Sequence, residues 1–208
     1  TDNISFQWKH YANTQHRIDP SRTNIIDVFV LSNEYDFETR QWIANGADPE
    51  KMPIPPTELD LRLLFKGYEE YKMFTDEMVW RPVRYKLLFG SGSEETNLRA
   101  KFKIVKLSNT PVSDGEIKSR VVKSINDFFD ISRWDFGETF YFTELAAYVH
   151  QQLATVIGSF VIVPQNEDAS FGDVFEVTAA PDEIFISTAQ ISDVEIISSN
   201  SSSNLRIR

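Results

Sequence analysis

One helix can be placed from the sequence alone, and it constrains the fold of this chain more than any other feature. Ser113 and Glu116 stand three residues apart at its start, the spacing of a capping box, in which the Ser hydroxyl accepts from the third helical amide and the Glu carboxylate reaches back. The apolar residues that follow recur at the spacing of one helix face, at Ile117, Val121, Val122, Ile125, Phe128 and Phe129. We therefore predict a helix over 113–129 that buries one face.

Apolar residues that alternate with charged ones predict two half-buried strands before this helix. The first contains Val83, Tyr85, Leu87 and Phe89, and the second contains Ala100, Phe102 and Ile104. The loop GSGSEETN between them predicts a hairpin. After Val105 the alternation slips by one residue, which indicates a β-bulge or the end of the strand. Runs rich in β-branched residues predict further strands at 25–31, 157–163 and 183–187, and a weaker one at 194–197.

Three more helices are indicated by spacing and by end signals. A helix beginning near Thr143 has its apolar face at Leu145, Val149 and Leu153. A helix over 36–45 is ended by the Asn45-Gly46 pair. After a proline-rich connector over 49–56, Thr57 caps a third helix, whose Leu59, Leu63 and Leu64 share a face.

The order of these elements predicts an α+β fold. We expect short helices packed on one face of a mainly antiparallel sheet, with a mixed α/β N-terminal subdomain. The predicted units are a mixed α/β subdomain over 1–78, an α+β assembly subdomain over 79–197 and a mobile Ser-rich tail over 198–208. The first residue is Thr1 rather than Met, so we also expect a missing N-terminal region.

Composition excludes several classes of protein. Hydrophobic residues make up 41% of the chain and aromatic residues 13%, too many for a disordered chain. The net charge of -10 opposes binding to nucleic acid. No Cys is present, which excludes disulfides, thiolate zinc sites and a Cys nucleophile. No apolar run approaches the roughly 20 residues that span a bilayer, so we predict no membrane segment.

Motifs that could carry chemistry are weak. Gly90-Ser91-Gly92 could hold a phosphate on its amides, but no Lys-Ser/Thr pair follows, and a hairpin turn is favoured. Asn166-Glu167-Asp168 with Asp173 lacks the spacing of a calcium loop and is interpreted as a solvated acidic loop. The three His residues form no zinc motif: they are His10, His16 and His150, of which His150 is assigned to the polar side of a helix. We predict no catalytic residue, no cofactor and no metal site.

Residues 128–142, called the aromatic segment below, hold seven aromatic residues in fifteen positions, although a connector between helices is normally polar. The rings can form a corner of the core. Alternatively some of them, especially Trp134 and Phe136, line a surface that another chain covers. The candidate interface residues are Phe128, Phe129, Trp134, Phe136, Phe140 and Tyr141.

The same part of the chain resembles the C-terminal portion of a known family. The shared pattern is a helix, a turn containing Trp134 and Gly137, a second helix opened before Leu145, and a strand with Gly158 near its start. Similarity extends to HRIDPSRTNIIDVFVL and GADPEKMPIPPTEL, and so to nearly everything before the Ser-rich tail. The chain resembles the baseplate wedge proteins of T-even-type contractile-tailed phages, which belong to the baseplate J-like group.

This resemblance implies a structural role in the virion, within a tail baseplate assembled in the host cytoplasm. Such subunits pair with copies of themselves and with other wedge proteins, build a ring around the tail hub and rearrange on contraction. A homodimer is therefore expected, with no enzyme activity, no small-molecule substrate, no nucleic acid and no membrane as partner. Two alternatives stay open: a hydrolase that uses an acidic residue pair or an acidic metal site, and an adaptor that adds a peptide to a sheet edge near Lys101 and Lys103.

Overall fold

The computed structural model describes residues 25–68, 77–93, 95–165 and 176–199. Within these residues the chain forms four α-helices and nine short strands. The helices are α1 (Asn33–Ala44), α2 (Glu58–Leu64), α3 (Asp114–Phe128) and α4 (Phe142–Gln152). The strands are β1 (Ile25–Val30), β2 (Glu77–Pro82), β3 (Arg84–Leu88), β4 (Ala100–Lys106), β5 (Thr139–Tyr141), β6 (Ile157–Pro164), β7 (Glu176–Thr178), β8 (Glu183–Ser187) and β9 (Val194–Ile197).

The main core lies between a three-stranded sheet and two helices. β4 is the central strand, antiparallel to β6 on one side and parallel to β9 on the other. α4 packs against β6, α3 packs against β9, and the two helices contact each other. Their predicted apolar faces are buried in this layer, as Ile117, Val121, Leu145 and Val149 show. The predicted α+β class, with helices on one face of a sheet, is confirmed.

The strand pairing is mixed rather than mainly antiparallel, which corrects that part of the prediction. β1 pairs with β2, β3 with β8 and β4 with β9, all in parallel, while only β4–β6 and β5–β7 are antiparallel. The predicted hairpin between β3 and β4 does not form. Phe89 takes a left-handed φ of 78° at the end of β3, and a single bridge from Phe89 to Arg99 is the link between the two strands. β3 therefore diverges from β4 and pairs with β8 instead.

Local signals at the helix ends agree with the structure more closely. The Ser113 hydroxyl accepts from the Glu116 amide, as the capping pattern predicts, but the Glu116 carboxylate pairs with Arg120 rather than reaching back. α1 ends where predicted, and Gly46 has a φ of 99° just beyond it. It begins at Asn33, earlier than predicted, because the Ser32 hydroxyl caps its first turn.

Three strands escaped prediction. β5 and β7 are only three residues long, and β2 ends in a proline, so none shows a clear alternating pattern. β2 pairs in parallel with β1, and α1 and α2 form the crossover between the two strands. A register shift between Val105 and Lys106 lies where the sequence predicted a bulge or a strand end, but the extra residue is Gly158 of β6, and β4 ends at Lys106. β2 also spans the proposed boundary at residue 78, and the division into two units stays a prediction.

A second, smaller core lies beside the main one. Its buried members are Tyr35, Val83, Tyr85, Ile184 and Ile186. They come from α1, from β8 and from the β2–β3 region, so this cluster attaches the N-terminal elements to the β3–β8 ladder. Trp134 packs against both clusters and lies at their junction.

Candidate assembly surfaces

The aromatic segment is mostly inside the chain. Phe129 and Phe140 are buried in the main core, which leaves neither ring on the surface of this conformation. Phe128, Trp134 and Phe136 are half-buried. Tyr141, which lies in β5 and pairs with Glu176 of β7, is exposed. Core packing therefore accounts for the positions of Phe129 and Phe140. That any of the six predicted residues contacts another chain stays a prediction.

Trp134 has partners that explain its position without a second chain. Its indole Nε1 donates to the Phe128 carbonyl at 2.8 Å, so its polar atom is satisfied. Its ring meets Phe185 edge to face, with centroids 5.2 Å apart. Phe136, two residues later, packs against the smaller core. These contacts favour the interpretation of the segment as a corner where the two cores join.

The Gly90-Ser91-Gly92 turn uses its backbone for packing inside the chain. The Gly90 amide donates to the Leu88 carbonyl and to the Thr188 hydroxyl, each at 3.1 Å. A Cβ at position 90 would lie 2.0 Å from the Thr188 carbonyl oxygen, and one at position 92 would lie 2.8 Å from the Trp42 ring. Both glycines thus permit close approach. Because its amide is already occupied, Gly90 is unsuited to the phosphate cradle that the sequence left open.

The other chemical motifs add no site. Asn166-Glu167-Asp168, Asp173, His10 and His16 lie outside the described residues. His150 is exposed near the end of α4, on its polar side as predicted. In the described part of the chain, no group of three or more His, Cys, Asp and Glu residues could hold a metal ion. Across those same ranges, no helix combines the length and the apolar character that crossing a membrane requires.

A partly buried polar contact that the sequence did not reveal ties α1 to β3. The Tyr85 hydroxyl donates to the Asp36 carboxylate, and the Arg40 guanidinium donates to the same carboxylate at 2.8 Å. Burial, together with the hydrogen bond and negative charge of Asp36, raises the pKa of Tyr85 well above its usual value. Asp36 and Tyr85 are 49 residues apart, so no local pattern could have paired them. We call these three side chains the α1–β3 latch.

Among the residues that the structure describes, the largest concentration of exposed apolar side chains lies on α2 and the connector before it. Leu59, Leu63 and Leu64, called the leucine face below, are 63%, 65% and 68% exposed, and Ile54 is 85% exposed. The opposite side of the helix holds it in place: Leu61 is fully buried, and just beyond the helix Phe65 stacks on Trp80 of β2 at 5.0 Å. The structure turns all three leucines outward, with Leu59 and Leu63 one turn apart on the same side and Leu64 about 100° further round the helix.

Charged residues flank the leucine face in a fixed order. Glu58 lies in the first turn of α2 and Arg62 in the last, and both are exposed. At 100° per residue, Glu58 and Arg62 lie about 40° apart, on the Leu59 side of the leucine face, while Asp60, which is also exposed, lies between Leu63 and Leu64. On this side of α2, the first turn therefore carries a negative charge and the last turn a positive charge.

The peptide-adaptor alternative is wrong for the strand on which it rested. β4 lies between β6 and β9, so Lys101 and Lys103 do not sit on a sheet edge. Lys101 pairs with Asp193 at 2.9 Å, and Lys103 is buried and pairs with Glu195 at 3.3 Å. Both lysines thus join β4 to the β9 region instead of guarding an edge.

Comparisons with known proteins do not supply a family. No model of a known protein family matches the chain, and a search of curated proteins found no match. The similarity to baseplate wedge proteins therefore stays a prediction, and the function has to be argued from the surfaces described above.

Proposed function

We propose that this chain is a structural subunit of a phage tail baseplate wedge. In this role it associates with copies of itself and with other wedge proteins, builds the ring around the tail hub and rearranges with that ring when the tail contracts. It works by protein contacts, without a catalytic residue or a cofactor, in the virion. The resemblance in sequence suggests the role, and the exposed leucine face of α2 is the observation that carries it.

Burial of the leucine face would contribute a free energy of the same order as the cost of association. Fully burying a Leu side chain contributes about 1.5–3 kcal/mol, so side chains that are about two-thirds exposed contribute about 1–2 kcal/mol each. Three leucines from each of two chains would supply about 6–12 kcal/mol, against an association cost of about 4–15 kcal/mol. We therefore expect concentration-dependent association, strengthened where Met52 and Ile54 are also covered.

The charges beside the leucine face favour a second copy as its occupant. If two α2 helices pack antiparallel about a two-fold axis, their leucine faces meet, and Glu58 of each copy lies on the same flank as Arg62 of the other. In parallel packing about a two-fold axis, the Glu58–Arg62 flanks of the two copies would lie on opposite sides of the contact, and these charges would not pair. The order of charge along α2 thus matches an isologous, antiparallel contact.

Light scattering over a range of concentrations tests this contact. Leu59→Ser with Leu63→Ser should abolish self-association, whereas the control Leu107→Ser, at another exposed leucine, should not. Glu58→Arg alone should weaken self-association, and adding Arg62→Glu should restore it, because only a symmetric contact restores complementarity in this way. Association unchanged by the two Ser substitutions would exclude the leucine face as the contact.

A binding measurement with purified neighbouring wedge proteins tests the wider role. We expect at least one of them to bind the chain. A strict monomer that binds none of them would contradict the assembly function itself. Hydrolysis of a substrate by the purified chain, lost when an acidic residue is neutralised, would instead support the hydrolase alternative.

A further inference from the structure

β6 forms one edge of the three-stranded sheet. Within the described ranges the strand order is β6-β4-β9, so β4 covers one side of β6 and no strand pairs with the other. The Gln165 amide, at the end of β6, donates to the Arg99 carbonyl at 2.8 Å, so residue 165 faces β4. Residues in an antiparallel ladder alternate in direction. The backbone N–H and C=O groups of Phe160 and Ile162 therefore point away from the sheet.

Between Ser159 and Val163, this edge lacks the features that usually prevent strands from pairing with another chain, because the bulge of β6 lies before this stretch, at Gly158. β6 is eight residues long and reads IGSFVIVP, with no charged residue. Edge strands are commonly short or protected by Lys, Pro or a bulge. Here the proline is the last residue, and the lysines of the sheet lie on β4, where they are paired. The middle of β6 is thus a long, uncharged edge with hydrogen-bonding groups directed outward.

An apolar cavity lies beside the same residues. It measures about 200 Å³ and is lined by Leu98, Ala100, Phe142, Ala146, Phe160 and Ile162, among others. These come from the turn before β4 and its first residue, the first two turns of α4 and the middle of β6. An apolar cavity of about 150 Å³ holds a group the size of benzene, so this one has room for a Leu, Ile or Phe side chain.

We propose that β6 accepts an extended segment of another protein as an added strand, with one large apolar side chain of that segment in the cavity. The backbone groups of Phe160 and Ile162 would pair with the segment, and the cavity would select its side chain. Because β6 carries no charge, the segment is uncharged where it pairs. This inference goes beyond the proposed assembly role and does not depend on the leucine face of α2.

Synthetic peptides test the proposal on the unaltered chain. The probes are peptides of about ten residues, made of Thr with one central Leu, Ile, Phe or Trp and with Lys only at the two ends, and fluorescence anisotropy measures their binding. We expect at least one to bind with a dissociation constant below about 1 mM, and its N-methylated form, which cannot pair as a strand, to bind about tenfold more weakly. Failure of all the peptides to bind would overturn the proposal.

Two further measurements locate the bound peptide. Amide hydrogen exchange should slow at Phe160 and Ile162 on binding, while Val161, whose amide faces β4, should change little. Ala146→Phe, which fills the cavity, should weaken binding about tenfold or more, whereas Ala147→Phe, at an exposed position on α4, should not. If Ala146→Phe fails to fold, the exchange measurement decides alone.

The same measurements distinguish a peptide bound at the edge of β6 from other occupants and other binding sites. Exchange protection elsewhere, or peptide binding unaffected by a folded Ala146→Phe protein, would show that β6 is not the acceptor. Protection of Phe160 and Ile162 that grows with the concentration of the chain, without peptide, would assign the edge to a second copy and would likewise overturn the proposal.

Discussion

The indole of Trp134 stacks on the ring of Phe129, with centroids 5.6 Å apart and planes 19° apart. Phe129 ends α3 in the main core, whereas Trp134 also contacts the smaller core that holds Tyr35 and Tyr85. The pair therefore connects the helical layer to the ladder on which α1 is fastened. Loss of Trp134 should affect the folding of the whole chain, because each core loses a packed neighbour.

Trp134→Ala should lower the free energy of unfolding by about 3–5 kcal/mol, since it leaves a cavity between the two cores. Chemical denaturation measures this loss. Tyr141→Ala is the control within the same segment: its side chain is exposed, and we expect a change within about 0.5 kcal/mol. A Trp134→Ala protein of normal stability that no longer associates would instead place Trp134 at an interface.

The α1–β3 latch predicts a dependence of stability on alkaline pH. The pKa of Tyr85 is raised in the folded chain, so the unfolded chain loses this proton first as the pH rises through the usual value of 10.0. The contribution of Tyr85 is therefore present below about pH 10 and is lost above it. Tyr85→Phe should lower the free energy of unfolding at pH 7 by about 1.5–3 kcal/mol, the value of a hydrogen bond to a charged group.

Denaturant titrations between about pH 8 and pH 11 test whether the free energy of unfolding falls as the pH rises. The free energy of unfolding of the unaltered chain should fall more steeply with pH than that of Tyr85→Phe, so the two curves should converge. Parallel curves across this range would show that Tyr85 does not hold its proton more tightly in the folded chain.

Replacing glycine by alanine should have opposite effects on stability at Gly90, in the turn after β3, and at Gly115, in α3. Gly90→Ala should destabilise the chain by about 3 kcal/mol or more, because its Cβ would overlap the Thr188 carbonyl oxygen and the backbone would have to move. Gly115→Ala, in α3 with no atom within 4 Å of the new Cβ, should stabilise it by about 0.5–1 kcal/mol. Thermal melting compares the two, and equal effects would contradict the close approach of Gly90 to Thr188.

Local patterns predicted individual elements well. The Ser113 cap and the spacing from Ile117 to Phe129 placed α3, and the slip after Val105 placed the end of β4, because both depend on residues within a few positions of one another. The short strands β5 and β7 were missed because three residues are too few for a period to appear. The candidate interface residues were chosen from an aromatic count, which cannot separate a core corner from a surface.

What the sequence determined by itself is most of the local structure: the four described helices, six of the nine described strands, and the buried faces of α3 and α4. Only the tertiary structure decided that β3 pairs with β8 instead of β4, that the leucines of α2 face outward, and that Asp36 meets Tyr85. The physical reason is how far apart in the sequence the interacting residues lie. Caps and periodicity act over about one helical turn, whereas strand partners and buried contacts are selected by competition among segments far apart in the chain.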